Sequence, residues 1–289
     1  MGQDCLEFLI RPNLNAPNMV LGFQGWMDGG QVSTGSIEYL VNQLDAQEFA
    51  RIRPEEYYLS SFPGSMEFAA LFRPHVIIED GLLTEYNEPV NSFYFDKANR
   101  LILYLGKEPH LHWRRFADCI FRIVEEFGVE SIYFIGSVAG LTPHTREPKV
   151  SAVVSSPALK EIASKHHVKL SHYNGPGSIT SYLLKCASER GVSMINFIAE
   201  TPAYVQGRNP KCIEAIVKRL CRLLSIDVSL EHLRAVSDEM ERRISEIIAN
   251  REELAAHIQM LEENYDKEIF EHDMDDLRTW LQQQGIRLD

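Results

Sequence analysis

The feature that most constrains this chain is an alternation running from Asn18 to about Ile226, in which short apolar β-type runs are followed by segments whose apolar residues recur every three or four positions. One element cannot satisfy both periods, so the chain must lay strands side by side and cover the resulting sheet with helices on both faces. Residues 18–23 read as a strand that breaks at Gln24-Gly25, and Ile37, Leu40, Val41 and Leu44 follow at helical spacing. Further strands are expected over 57–62, 75–78, 131–136, 150–154, 168–171 and 194–199, with a hairpin over 92–105. Helices are expected over 113–127, closed by Gly128 as a left-handed cap, from Pro157, over 178–189, and over 210–224.

Beyond Ile226 the pattern is all helix, giving an expected division into an α/β domain, 1–226, and a helical, coiled-coil-like extension, 227–289. Leu233, Val236, Met240, Ile244, Ile247, Leu254, Ile258, Leu261 and Tyr265 form a heptad-like seam with one stutter, and a short helix over 273–284 would turn Leu277, Trp280 and Leu281 inward. That seam needs a cover, supplied either by its own domain or by another subunit. The stretch 229–289 holds 16 acids against 7 bases, and the whole chain has a formal net charge of −12. Counterion release from phosphate backbones therefore cannot drive general nucleic-acid binding. There is no apolar run long enough to span a bilayer, and the first residues, with Asp4 and Glu7, lack the cationic flank and apolar core of a secretory signal. A cytoplasmic protein is expected, with Cys5, Cys119, Cys186, Cys212 and Cys221 as reduced thiols, since they are odd in number and contain no C-x-x-C pair.

Residues able to do chemistry collect where strands end. Gly25-Trp26-Met27-Asp28-Gly29-Gly30 lies between a strand and a helix start, where unpaired amides and the helix dipole favour an anion, although it is neither a dinucleotide fingerprint nor a phosphate loop. Its other reading is Asp28 as a helix cap among turn glycines. Glu108 in Gly106-Lys107-Glu108-Pro109 stands at a strand's C-terminal end, the edge where open α/β sheets take ligands, or is simply a solvent-facing carboxylate. His144 and Arg146 follow the next strand and are able to bind a carboxylate or phosphate, or Arg146 pairs with a nearby acid. Gly136-Ser137-Val138-Ala139-Gly140 has its serine one place early for a nucleophile elbow. Tyr173 and Gly175 sit in a glycine-proline turn that ends in the helix cap Ser178. His110 with His112, and His166 with His167, lack metal-ligand spacing, so neither a metal nor a cofactor is expected.

Taken in order, Gly25-Trp26-x-Asp28-x-Gly30, Arg73-Pro74, Gly106-x-Glu108-Pro109, Pro143-His144-Thr145-Arg146, Tyr173-x-Gly175-Pro176 and Pro202-x-Tyr204 resemble the proteasome assembly chaperone 2 family, its prokaryotic branch above all. The resemblance covers roughly residues 4–224. It implies a three-layer α/β/α domain similar to the purine nucleoside phosphorylase fold, a helical C-terminal addition and a homo-oligomer, with a trimer or ring among its forms. Some relatives dock a terminal hydrophobic-Tyr-any tripeptide into a proteasome ring; here Arg287-Leu288-Asp289 stands instead. Gly29 replaces the usual alanine, and Gly177-Ser178 replaces threonine-glycine. Two functions follow as expectations: a non-catalytic oligomer that binds itself or another protein complex, or an enzyme or sensor for a small anionic or nucleoside-like metabolite. The second would use Gly25, Trp26, Asp28, Gly29, Gly30, Glu108, His144, Arg146, Tyr173 and Gly175 as ligand contacts. A carboxylate–amine ligase has no supporting lysine and glycine pattern.

Overall fold

The structure is a computed structural model that describes residues 5–165 and 168–283, with side chains through Glu271. The expectations attached to Asp4, His166, His167, Leu277, Trp280, Leu281 and the terminal Arg287-Leu288-Asp289 fall outside the described side chains.

At the centre is a nine-stranded sheet. Its middle is four parallel strands, β7 (Leu101–Lys107), β2 (Asn18–Gln24), β8 (Ser131–Gly140) and β11 (Ser193–Pro202), side by side in that order. Beyond β7 lie β6 (Ser92–Asp96), β3 (Gln47–Ile52) and β1 (Leu6–Phe8), each antiparallel to its neighbour. Beyond β11 lie the antiparallel β9 (Val150–Val154) and then β10 (Lys169–Leu170), parallel to β9.

Alternation along β2 shows why two helical layers are needed. Leu21 and Phe23 pack with Phe116 and Ile120 of α3 (Trp113–Phe127) and with Ile179 and Leu183 of α5 (Ile179–Arg190). Val20, pointing the other way, packs with Ile37 and Leu40 of α1 (Val32–Gln43) and Ile213, Ile216 and Leu220 of α6 (Pro210–Leu224). The result is a three-layer α/β/α arrangement. Because the four central strands are parallel, Gln24, Lys107, Gly140 and Pro202 all finish on one rim, which sets the loops after them next to one another.

Between β3 and β6 the chain makes an excursion that contains α2 (Met66–Ala70) and a separate antiparallel hairpin, β4 (His75–Glu79) with β5 (Leu82–Asn87). The helix α4 (Leu159–Lys165) precedes β10, and the tail forms α7 (Glu231–Ala249) and α8 (Glu252–Gln283). Leu233 of α7 belongs to the same core as α6, while Ile258 and Leu261 of α8 are buried.

Several expectations are corrected. Residues 57–62 are turn and loop: Tyr57 is a core anchor edge-on to Phe116, its carbonyl accepts from the amides of His110 and Leu111, and the Leu59 amide is held by His110 Nδ1 at 3.1 Å. Those partners satisfy the backbone without a ladder. The strands β1, β3 and β5 carry no clean alternation and were not legible. The tail breaks at Asn250-Arg251, inside the seven-residue interval between Ile247 and Leu254, and no break separates a second helix at 273, because α8 runs on to Gln283. Cys5 and Cys119 are joined as a disulfide across 6.3 Å between Cα atoms, 114 residues apart in sequence, where the start of β1 meets α3; Cys186, Cys212 and Cys221 are thiols.

Candidate functional site

The first loop is held from two sides. Glu108, after β7, accepts the Trp26 amide on Oε2 and the Ile179 amide at the start of α5 on Oε1, each at 2.9 Å. One carboxylate thus ties the loop after β2 to a helix N-terminus, where its charge also complements the dipole. Gly25 takes φ +147° beneath it, and a Cβ there would lie 2.7 Å from the Glu108 Cβ, so glycine is required by both conformation and space. On the other side Ser137 of β8 donates its amide to Met27 O at 2.8 Å and its hydroxyl to Gly29 O at 2.6 Å. Gly30, at φ +63°, accepts the Asn209 amide at 2.8 Å.

Asp28 caps α1. Its Oδ1 accepts the Thr34 amide at 3.1 Å and its Oδ2 the Thr34 hydroxyl at 2.8 Å. Burial raises its pKa to about 6 against the lowering effect of those bonds.

His144 is buried and fully engaged. Its amide and Nδ1 both meet the Tyr204 hydroxyl at 2.8 Å, its Nε2 meets Ser245 Oγ of α7 at 3.1 Å, and its carbonyl accepts from Lys211, which pairs with Glu241 of α7. Burial holds the imidazole pKa below its ordinary value. Next to it Thr145 donates to Glu262, and Arg146 forms a two-pronged bond to Asp266 at 2.8 and 2.7 Å, both on α8. Lys149 continues the series to Glu268 at 2.7 Å. The His144 loop is therefore the seat of the helical tail.

All ten sequence-predicted residues lie on loops at or beside one rim of the sheet, but in two groups. Gly25, Trp26, Glu108 and the Tyr173–Gly175 turn surround the start of α5; His144 and Arg146 lie under α7 and α8; Asp28, Gly29 and Gly30 run between them along β8 and α6. Each ionisable side chain of the set already holds a partner within the chain. The aromatic pair is open: Trp26 is 66% exposed and Tyr173 is 71% exposed, with the Tyr173 hydroxyl donating to Pro176 O at 3.1 Å.

The large concavity is elsewhere on the rim. A cleft of about 1000 Å³ opens between α8 and the far half of the sheet edge, lined by Val138, Ile198 and Glu200 from the sheet, Arg219 from α6, and Leu261 and Tyr265 from α8. None of the ten residues faces it. Beside it, a small void of about 10 Å³ under His144 and Arg146 has room for no ligand. Arg219 escaped the sequence reading because a lone basic residue in an amphipathic helix is indistinguishable from a solvated one. No group of three or more His, Cys, Asp or Glu arranged for a metal occurs among the described residues, and no helix among them is long and apolar enough to cross a membrane.

The sequence pattern of the PAC2 family matches residues 22–248. An uncharacterized protein of Methanocaldococcus jannaschii is 25% identical over 231 residues, 78% of this chain and 81% of its own length. The crystal structure of a Mycobacterium tuberculosis proteasome-assembly chaperone homologue superposes with a TM-score of 0.72 at 27% identity, covering 83% of this chain and 99% of that one. A second M. tuberculosis structure, of a protein of unknown function, shares the fold with a TM-score of 0.83 at 23% identity, over 96% of this chain and 94% of its own.

Proposed function

Since the chain belongs to the PAC2 family, we propose that it is a non-catalytic, protein-binding member that works as a homo-oligomer and assists the assembly of other proteins. Proteasome components, in the cytoplasm, are the first partners to consider, given the printed description of the M. tuberculosis relative. In this reading 1–226 is the working domain and 227–289 the appended helical one.

The observation that carries the reading is the excursion between β3 and β6. Its hairpin pairs Val76 with Tyr86 and Ile78 with Leu83, and among the described elements the two strands pack chiefly on each other. Ile78 is 64% exposed and Leu82 70% exposed, and Met66, Phe68 and Leu71 of the preceding helical segment are exposed with them. An isolated two-stranded hairpin is marginal in water, and large apolar side chains left exposed on it and on the preceding helical segment favour a contact with another chain. A second copy of this protein is the occupant we assign to it. The test of the assembly role is to mix the purified protein with separately expressed proteasome ring subunits and follow complex formation and assembly rate by native electrophoresis. A complex with the ring subunits, or faster ring assembly, supports the reading; neither complex nor faster assembly refutes it.

A second reading, an enzyme or sensor for a small anionic or nucleoside-like metabolite, is favoured by the two open aromatic rings on the loops that Glu108 joins. A base stacked on Trp26 or Tyr173 would bring its polar edge toward the 25–30 and 173–175 backbones, with Glu108 as the carboxylate between them, while His144 and Arg146, held by α7 and α8, stay outside such a site. Thermal shifts with nucleosides, lost in Trp26→Ala, test it.

A further inference from the structure

The cleft beneath α8 contains a cation whose guanidinium fork the chain leaves largely open. Arg219 is half-buried; its hydrogen bond runs from Nη1 to Ala215 O at 3.2 Å, one turn back in its own helix, and it makes no ion pair among the described residues. The other cations on the cleft wall are spoken for. Lys149 lies 2.7 Å and Lys169 3.6 Å from the Glu268 carboxylate, and Lys149 also stands 5.0 Å above the Tyr265 ring. Burial draws the Arg219 guanidinium below its ordinary pKa, with Glu147 pulling the other way. A guanidinium offers five N–H donors in a planar fork shaped for a carboxylate, and one hydrogen bond within its own helix leaves the rest of the fork open to the cleft.

The remaining surroundings narrow the ligand. Val138 and Ile198 on the sheet face Leu261 and Ile269 on α8 across the cleft, which gives an aliphatic channel. The acids lining it are Glu147, Glu200, Glu268 and Glu271. Glu200 is occupied by the Leu141 and Thr142 amides, at 2.5 and 3.1 Å, Glu268 by its lysines and Glu271 by Lys267 at 4.0 Å, so the four acids of the lining outnumber its three cations, Lys149, Lys169 and Arg219, and exposed Glu147 makes no ion pair among the described residues. A dianion is repelled by such a wall more strongly than a monoanion.

We propose that this cleft binds a small monocarboxylate with an aliphatic body, its head on the Arg219 fork and its chain between Val138, Ile198 and Leu261. The assignment is independent of the protein-binding role. It makes α8 one wall of the site, so that occupancy and the seating of the tail are coupled.

Calorimetric titration of the full chain with hexanoate, and separately with inorganic phosphate, tests it. The expected result is saturable hexanoate binding that weakens about tenfold or more in Arg219→Gln and less in Arg219→Lys, with phosphate at least about tenfold weaker than hexanoate. Hexanoate should also slow amide exchange in the 261–271 stretch of the wild-type protein, a readout that stands even where Arg219→Gln does not fold. No saturable binding up to about 10 mM, or equal binding by a folded Arg219→Gln protein, overturns the proposal. Binding of phosphate as tight as that of hexanoate overturns the monocarboxylate assignment.

Discussion

Glu108 is the most economical place to perturb the rim, because one carboxylate restrains two chain segments that are otherwise far apart in sequence. Its bond to the Ile179 amide is part-buried and lies at the N-terminus of a 12-residue helix, while its bond to the Trp26 amide is exposed. A charge-assisted bond of the first kind contributes about 1.5–2 kcal/mol with the dipole included, and the exposed one about 0.5 kcal/mol after solvent screening. Glu108→Ala is therefore expected to lower stability by about 2–2.5 kcal/mol. Glu108→Gln keeps one acceptor oxygen but no charge and should lie near the middle of that range. Urea unfolding at an unchanged slope reads the free energy, and amide exchange at Trp26 and Ile179 reads the mechanism, since both should lose protection in the alanine variant. An alanine variant within about 0.5 kcal/mol of wild type, with those amides unchanged, would refute the reasoning.

Three further outcomes follow from the same contacts. Burial lifts the folded-state pKa of Asp28 to about 6 from the ordinary 3.8, so its contribution to stability is present below pH 3.8 and is lost as pH rises toward 6. Asp28→Asn should remove a fall of up to about 3 kcal/mol across that window, read as the difference between the two proteins' urea midpoints at each pH. For Gly30→Ala the added Cβ would lie 2.9 Å from Asn209 Cβ and 3.3 Å from Thr201 Cγ2 at φ +63°. We expect a loss of about 2–3 kcal/mol, and a variant as stable as wild type would show that this loop relaxes freely. Arg146→Ala removes the two-pronged anchor on Asp266, so proteolysis and amide exchange should rise in α8 while the sheet stays protected; uniform protection throughout would deny the anchor its role.

Much of the fold was legible because its central pieces carry strong local signals. Residues 18–24 and 131–140 are long β-type runs, and α3 and α6 are amphipathic helices whose ends are marked by Gly128 and by Asn209-Pro210. The hairpin of β6 and β7 is local in sequence, so its polar turn announced it. Illegible elements depend on distant partners. Tyr57 reads as β-type from its neighbours, yet its place is fixed by α3, and β1 exists only because β3 offers it an edge. The candidate site divides in the same way. Sequence spacing put Glu108 and the 25–30 loop at neighbouring strand ends, and parallel register brought them together. His144 and Arg146 looked like ligand groups because their partners, Ser245 and Asp266, lie 101 and 120 residues further on in a tail whose polar face gives no hint of what it meets. Cys5 and Cys119 were missed for the same reason: no spacing rule connects residues 114 apart.

The claim that this chain acts through contact with other protein chains is tested most directly by sedimentation of the wild type against an Ile78→Asp, Leu82→Asp double variant. Both side chains lie largely in solvent within one chain, so their replacement should leave the circular dichroism spectrum of the folded protein unchanged, while the melt loses whatever stabilisation the oligomer adds. The account predicts an oligomeric wild type at micromolar concentration and a monomeric, equally folded variant. A monomeric wild type, or a variant that sediments with it as the same oligomer, would contradict it.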